Sequence, residues 1–307
     1  IRGLVLLLEQ VKEAKIGSIV PVYKELNEEI DALDYFRKLS NYGNKKNSML
    51  MQSNEKSFGS AEPCLMVIGR GNDFEIAALN ALGRKFLNFI KKDFKFCDKA
   101  IYKKDRIYGT LIPAKKSVSE HERLKLKTHL DIIRAIAFKF ELTTKPFAPY
   151  CGLFGMISDD FAQIDPDGRE DMLKDPDYML YFLDNMFIAD HKEKKTYFVA
   201  NALVTDNQKE KIYHKSLKII KNYEKLVSKK SPKGKKPKKR ELKLSYDTSK
   251  EEFLRVMENL RRNIVNGDIL YAAPSRTRIT TYNPEPLDIY AQLKIAGDIN
   301  FYINDGM

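Results

Sequence analysis

The chain has 307 residues, of which 43% are hydrophobic and 31% charged, with a formal net charge of +12. This composition is ordinary for a globular protein, and the length suits about two domains. No apolar run approaches the roughly 20 residues that span a bilayer, so we predict no membrane partner. Three unevenly spaced cysteines without a CxxC pair argue against a disulfide framework, and we expect a reducing, cytoplasmic setting.

The positive charge is concentrated in one segment. Residues 225–243 hold ten Lys or Arg and one Glu, a local net of +9, which leaves +3 for the rest of the chain. Pro232, Gly234 and Pro237 would break a helix there, and no aromatic side chains are interleaved to stack on bases. We interpret the segment as a flexible basic linker. Nonspecific binding to nucleic acid is the rival hypothesis, which this pattern does not favour.

The first half of the chain contains several short predicted elements. Apolar residues at helical spacing predict helices at 4–14, 31–39, 83–91 and 120–140. Apolar runs bounded by turn residues predict strands at 18–23, 49–53, 64–69, 73–78 and 150–161. A polar loop is predicted at 54–62.

The second half continues with a predicted hairpin and a long helix. Strands are predicted at 178–189 and 195–202, around a polar turn that contains His191, with a helix at 207–227. A strand at 276–282, a helix at 286–293 and a strand at 300–303 follow. Strands and helices are grouped more than alternated, which predicts an α+β fold with largely antiparallel sheets and helices packed outside.

The most regular stretch is 249–275. Ser249 and Glu252 form a capping-box pattern, and Gly267 supplies a left-handed stop. One helix face is apolar, with Phe253, Val256, Met257, Leu260 and Ile264. The run at 269–273 is apolar with almost no alternation, which predicts a strand covered on both faces.

Four segments resemble, in order and spacing, the anthranilate synthase component I family. They are MLMQSNEKS (49–57), GLFGMISDDF (152–161), PDYMLYFLDNMFIADHKEKKTYFVANAL (176–203) and EEFLRVMENLRRNIVNGDILYAAPSRTR (251–278). The resemblance implies an enzyme of tryptophan biosynthesis that converts chorismate and ammonia to anthranilate and pyruvate. It also implies a magnesium ion and a glutamine amidotransferase partner, component II, that supplies the ammonia.

The same resemblance implies an incomplete subunit. The family's GTRxRG loop, its acidic magnesium-binding helix and its His-Met segment would all lie downstream of Met307. We therefore expect no metal ligand within this chain and no activity from the chain alone. Residues 1–224 are predicted to be the N-terminal region of the synthase subunit, 225–243 a linker, and 244–307 the start of a truncated chorismate-binding core.

The resemblance places a tryptophan inhibitor site in this chain. Its residues would be Gln52, Ser53, Asn300, Phe301 and Tyr302. Where the family has a Glu that contacts the tryptophan ammonium, this chain has Gln52, so we expect binding weaker by about 1.5–3 kcal/mol. For Ser53, the alternative role is a strand-end hydroxyl that caps a turn.

The predicted catalytic residue is Tyr271, which stands where the family has a Gln at the reacting face. A phenol cannot present the donor and acceptor of an amide together. Ser275 and Arg276 are predicted to line the substrate side. Two alternatives stay open: aminodeoxychorismate synthase component I, which shares the N-terminal architecture, and a degenerate, non-catalytic relative that binds an amidotransferase or a small ligand.

Overall fold

The computed structural model describes residues 2–112, 127–158, 161, 175–232, 243–281, 284–293 and 299–304. The chain forms two compact units. One comprises Ile1–Lys233 together with Tyr290–Met307, and the other is Gly234–Ile289. The last predicted strand thus groups with the N-terminal residues, although we had assigned it to the segment 244–307.

The helices of the described residues are α1 (Arg2–Glu13), α2 (Ala32–Leu39), α3 (Ala81–Ile90), α4 (His129–Ala137), α5 (Lys209–Val227), α6 (Lys250–Asn266) and α7 (Pro286–Leu293). Side-chain caps begin several of them: Asp31 accepts from the amide of Asp34, and Asn80 accepts from those of Leu82 and Gly83. All seven helices were predicted. The fourth was predicted at 120–140, and residues 120–126 of that range lie outside the described ones. None of these helices is long and apolar enough to cross a bilayer.

A seven-stranded sheet forms the larger layer of the first unit. Its strands are β1 (Ser18–Leu26), β2 (Ser48–Ser53), β3 (Lys56–Ser60), β8 (Glu141–Leu142), β11 (Asn185–Asp190), β12 (Lys195–Leu203) and β15 (Ile299–Asn304). Their order is β15-β2-β3-β11-β12-β1-β8, and every pair is antiparallel except β1 with β8.

A six-stranded sheet forms the second layer of this unit. Its strands are β4 (Leu65–Arg70), β5 (Asp73–Ala78), β6 (Lys99–Tyr102), β7 (Arg106–Thr110), β9 (Gly152–Ile157) and β10 (Tyr178–Leu183). The order is β6-β7-β5-β4-β10-β9, antiparallel throughout. The predicted α+β class with largely antiparallel sheets is therefore confirmed, although β6 and β7 were not predicted.

Aromatic rings cover glycines on neighbouring strands. Tyr178 pairs with Gly69, where an added Cβ would lie 2.1 Å from Cε1 of the ring. Phe74 covers Gly109 in the same manner, with 2.3 Å to its Cζ. The missing side chain leaves room for the ring to lie across the partner strand, so these glycines serve packing.

The core lies between the sheets and their helices. Buried residues of α3 and α4, such as Phe86 and Ile136, share one apolar cluster with the six-stranded sheet. Helix α5 is fixed to the other sheet by polar contacts inside the core. The hydroxyl of Tyr35 donates to the carbonyl of Tyr223 (2.7 Å), whose own hydroxyl donates to Oδ1 of Asn185 (2.5 Å).

The predicted strand at 178–189 is wrong as a single element. It is two strands, β10 and β11, which lie in different sheets and are separated only by Asp184. Asp184 is 3% exposed, and burial raises the pKa of its carboxyl to about 6. The amide of Asn201 donates to its carbonyl (2.7 Å) and so ties the crossing point to β12.

The polar loop predicted at 54–62 is also wrong over most of its length. Strand β3 lies there, paired with β2 on one edge and β11 on the other. Ser57 and Ser60 are fully buried, and Gly59 leaves space for the ring of Phe187. The strands on both edges satisfy the backbone hydrogen bonds of β3. It therefore forms a buried strand with small polar residues, where apolar residues would be expected.

The second unit holds α6 and a two-stranded sheet of β13 (Leu244–Tyr246) and β14 (Arg278–Thr280). The caps of α6 are as predicted: Ser249 accepts from the amide of Glu252 (3.1 Å), and Gly267 is left-handed at φ 80°. The strand predicted at 269–273 is wrong. No strand pairs with this run among the described residues, and Leu270 is 97% exposed. An apolar run becomes a strand only where neighbours complete its ladder.

Candidate functional site

A polar cavity of about 200 Å³ opens in the first unit, where β2 ends and β3 begins. Three of the predicted inhibitor-site residues border it, namely Gln52, Ser53 and Asn300. The remaining lining residues come from the start of α2, the β2–β3 turn, β3 and the β11–β12 turn: Glu29, Ile30, Asp31, Ala32, Asn54, Ser57 and His191.

Strand pairing brings the predicted residues together. In the antiparallel register of β15 with β2, Asn300 lies opposite Gln52 and Ile299 opposite Ser53. These pairs are separated by almost 250 positions in the chain, yet directly opposite residues of paired strands lie about 4.5–5.5 Å apart. The structure thus forms one wall of the cavity from two of the segments that we singled out.

Gln52 accepts a hydrogen bond from a tyrosine of α7. The hydroxyl of Tyr290 donates to Oε1 of Gln52 at 3.1 Å, and it lies 3.4 Å from the carbonyl oxygen of Asn300. Burial raises the pKa of Tyr290, so the phenol stays a donor at neutral pH. Gln52 is 4% exposed, and its amide oxygen accepts this hydrogen bond inside the fold.

Ser53 closes the turn between β2 and β3. Its hydroxyl accepts from the amide of Lys56 (3.2 Å) and donates to the carbonyl of the same residue (2.9 Å). This is the capping role that the sequence offered as the alternative to ligand contact. Ser53 also borders the cavity, so ligand contact stays a prediction beside it.

His191 links three segments around the cavity. Its Nε2 lies 2.7 Å from the Ser57 hydroxyl, and its Nδ1 lies 2.6 Å from Oε1 of Glu29. The second oxygen of Glu29 accepts from Lys194 at 2.8 Å. Hydrogen bonds from Lys194 and then His191 hold the pKa of Glu29 below its ordinary value, so its carboxylate is ionised at neutral pH.

Sequence reasoning assigned His191 to a turn and missed its place at the cavity, and it did not single out Glu29. A signal for His191 was present in the Asp-His pair of the segment IADHKEKK. The buried Asp190 stabilises this turn by accepting from the amides of Lys192 (3.2 Å) and Glu193 (3.0 Å). No motif surrounds Glu29 in the sequence. Its place at the cavity results from contacts with residues that are distant in the chain.

Two other predicted inhibitor-site residues do not border the cavity. Phe301 is 37% exposed, and adjacent residues of a strand point to opposite faces. Tyr302 is buried and packs against Phe36 and Tyr290, with ring centroids 5.6 and 5.9 Å apart. Tyr302 supports the residue that holds Gln52, and its contact with a ligand stays a prediction.

The predicted catalytic and substrate-lining residues lie in the second unit. Tyr271 is 82% exposed and belongs to no strand, and Ser275 is also exposed. The guanidinium of Arg276 stacks 3.9 Å above the ring of Tyr246, and its Nε donates to the carbonyl of Thr248 (2.8 Å). None of the three borders the cavity described above. Their roles toward chorismate stay predictions.

Metal ligands form no cluster in the part of the chain that the structure describes. No three His, Cys, Asp or Glu side chains there are placed to hold an ion. Magnesium stays an expectation that rests on the resemblance.

Comparison with known proteins identifies the family. The profile described as chorismate binding enzyme matches residues 99–305, which is more than half of the chain. The chain belongs to the chorismate binding enzyme family. It is 24% identical over 260 residues to anthranilate synthase component 1 of Vibrio cholerae serotype O1, a match that covers 83% of this chain. Because the match covers 48% of that relative, the chain spans about half its length.

Two solved structures also align with this chain. Anthranilate synthase component I from Streptococcus pneumoniae TIGR4 aligns over 81% of this chain and 45% of its own, with 15% identity and a TM-score of 0.42. The menaquinone-specific isochorismate synthase from Escherichia coli aligns over 99% of this chain and 53% of its own, with 10% identity and a TM-score of 0.41.

Proposed function

We propose that this chain is the N-terminal portion of an anthranilate synthase component I. The whole protein would convert chorismate and ammonia to anthranilate and pyruvate in the cytoplasm, as a step of tryptophan biosynthesis. A glutamine amidotransferase subunit would supply the ammonia. The chain by itself, which spans about half of its relative, would be inactive.

The observation that carries this proposal is the meeting of Gln52, Ser53 and Asn300 at one cavity. The resemblance places the family's inhibitor site at these positions, which are distant in sequence. Membership of the chorismate binding enzyme family, together with the similarity to the Vibrio cholerae protein, supports chorismate as the substrate. A regulatory amino-acid site at this cavity would favour a biosynthetic enzyme that responds to its end product.

Magnesium belongs to this proposal as a group held by residues outside the described ones. When bound, it would hold the chorismate carboxylate and stabilise developing charge. Within this chain, Tyr271 would face the substrate, where its phenol presents a single hydroxyl in place of an amide's separate carbonyl and NH2 groups. Ser275 and Arg276 would line the same side.

The test is turnover by the natural full-length protein. It would be incubated with chorismate, magnesium and ammonium, and the products separated by chromatography. We expect anthranilate and pyruvate in equal amounts. Aminodeoxychorismate or isochorismate as the product would overturn the proposal in favour of another member of the family.

A degenerate relative is the second candidate, because Tyr271 and Gln52 depart from the family's residues. It would bind an amidotransferase or a small ligand without catalysis. The gene sequence after Met307 discriminates between the two. A GTRxRG loop and an acidic helix are expected for the enzyme, whereas the absence of both would support the non-catalytic relative.

A further inference from the structure

One face of α5 exposes positive and uncharged side chains. Its exposed lysines recur at helical spacing and are Lys211, Lys215, Lys218, Lys221 and Lys225. From the turn and rise of an α-helix, they share an arc of about 120° and form a row about 21 Å long. The exposed side chains between them, His214 and Asn222, carry no negative charge. We call these five residues the lysine row.

The lysine row is not neutralised within the part of the chain that the structure describes. The two acidic residues of α5 bind other elements: Glu210 contacts Lys12 of α1 (2.9 Å), and Glu224 contacts Lys24 of β1. No ion pair joins a lysine of the row to a carboxylate among the described residues. Like charges four residues apart destabilise a helix, so an anionic partner would also relieve repulsion within the row.

The opposite face of α5 argues against a membrane as this partner. Its apolar side chains, such as Ile212 and Tyr223, are buried in the fold. A helix that lies in a membrane interface inserts its apolar face among the lipids, which α5 cannot do. Helix α1, which contacts α5 through Lys12, also exposes the carboxylates of Glu9 and Glu13. A broad anionic surface would meet these carboxylates, whereas a narrow linear polyanion would not.

The composition of the row indicates contact with phosphates and not with bases. The row contains lysine without arginine, and a lysine ammonium is a point charge that lacks the bidentate geometry with which arginine reads guanine. No exposed aromatic ring lies between the lysines to stack on an unpaired base. A duplex carries one charge per about 1.7 Å of its axis, so the row can face several phosphates at once.

We propose that the lysine row of α5 binds the phosphate backbone of a double-stranded nucleic acid without preference for sequence. Each ammonium group that contacts a phosphate displaces counterions from the duplex, which makes the affinity depend on salt. Lys229 and Lys230, both exposed, continue the positive charge along the chain beyond the helix. The proposal concerns a helix face and does not depend on which reaction the whole protein catalyses.

The experiment measures binding of the natural full-length protein to a short fluorescent DNA duplex by anisotropy over a series of salt concentrations. The variant carries Lys215→Gln, Lys218→Gln and Lys225→Gln together, because glutamine has a helix propensity close to that of lysine. The logarithm of the association constant should fall linearly with the logarithm of the salt concentration. The slope of the variant should be shallower by about 2.7, at about 0.9 for each lost phosphate contact. A duplex of unrelated sequence should bind the parent equally well.

A matched variant removes the same charge from another part of the surface. It carries Lys92→Gln, Lys95→Gln and Lys104→Gln, at three positions that are also exposed. This variant should keep the slope of the parent, because its lysines lie outside the row. Equal slopes for the two variants would overturn the proposal, since the attraction would then follow the net charge of +12 and not the helix face.

Two further measurements separate the row from its rivals. Deletion of residues 233–240 removes most of the basic segment and should leave the contribution of the row in place. If this deletion abolishes binding while the α5 variant keeps the parent slope, the segment binds the duplex and the proposal is wrong. Sedimentation with phosphatidylserine vesicles should show no binding that depends on the row. Row-dependent binding to vesicles without binding to the duplex would overturn the proposal in favour of a membrane.

The variants should differ in binding and not in folding. Substitution of the row by glutamine removes repulsion between neighbouring lysines, so the α5 variant should unfold at or above the temperature of the parent. A shallower slope at unchanged thermal stability therefore reports lost phosphate contacts.

Discussion

The hydroxyl of Tyr290 donates a 3.1 Å hydrogen bond to Oε1 of Gln52 and so joins residues 238 positions apart in the chain. The same hydroxyl lies 3.4 Å from the carbonyl oxygen of Asn300, so it contacts both residues that β2 and β15 bring to the cavity. It also attaches the last helix of the described residues to the edge of the larger sheet, next to β15.

Removing that hydroxyl tests its contribution. Tyr290→Phe should lower the free energy of unfolding by about 0.5–1.5 kcal/mol, the net worth of one hydrogen bond. Urea denaturation provides the measurement. Tyr23→Phe is the control, since Tyr23 packs against Phe147 by its ring and should change stability far less. Equal effects of the two changes would argue against the bond.

The stability of the fold should depend on pH through Asp184. Burial raises the folded-state pKa from an ordinary 3.8 to about 6, so its stabilising contribution is complete below pH 3.8 and is lost as pH rises through 6. The difference corresponds to about 3 kcal/mol. As the pH rises from 4 to 8, Asp184→Asn should therefore become more stable relative to the parent chain. Denaturation of both proteins at each pH provides the measurement.

Asp206→Asn is the control of opposite sign. The hydrogen bond from Lys85, 2.5 Å away, lowers the pKa of Asp206, so its contribution is present at neutral pH and is lost in acid. This variant should lose stability at pH 7 relative to the parent and approach it at low pH. A parallel response of the two variants would contradict the role of burial at Asp184.

The ring of Tyr178 should make Gly69 intolerant of a side chain. A Cβ at Gly69 would lie 2.1 Å from Cε1 of the ring, so Gly69→Ala should cost about 1–3 kcal/mol. A double-mutant cycle with Tyr178→Ala measures the pair. The cost of the alanine should fall when the ring is absent, and strictly additive effects would show that the ring is not the cause.

Leu270 should be replaceable without loss of stability. It is 97% exposed, and Leu270→Ser should change the free energy of unfolding by less than about 0.5 kcal/mol. The comparison is Leu50→Ala in β2, where a fully buried leucine should cost about 2–5 kcal/mol. A large loss at Leu270 would mean that residues 269–273 are buried in solution.

Local signals predicted the parts of this fold that short-range chemistry determines. The caps of α6 at Ser249 and Gly267 follow from side-chain hydrogen bonding and from the freedom of glycine, and both are present. The antiparallel grouping of strands followed equally well from their order along the chain. Such features depend on a few neighbouring residues, so the sequence is sufficient for them.

Features that depend on distant partners were not predictable. Nothing at Asp184 resembles a turn, because the change of sheet is decided by which strands pair on either side of it. Strand β3 forms despite its polar side chains because its backbone is hydrogen-bonded to a neighbouring strand on each edge. Residues 269–273 have the apolar character of a strand without neighbours to complete it. At the cavity, Glu29 and His191 meet across 162 positions, a contact that no local pattern indicates.

The direct passage from β10 to β11 has a mechanical consequence. A loop between two sheets can change its conformation when one sheet moves. Here the connection is the single residue Asp184, whose carbonyl accepts a hydrogen bond from Asn201, so it cannot adjust in this way. A shift of the smaller sheet along β10 must therefore be transmitted along β11. That strand leads into the turn that holds His191, so one continuous stretch of chain joins the smaller sheet to the contact between His191 and Glu29.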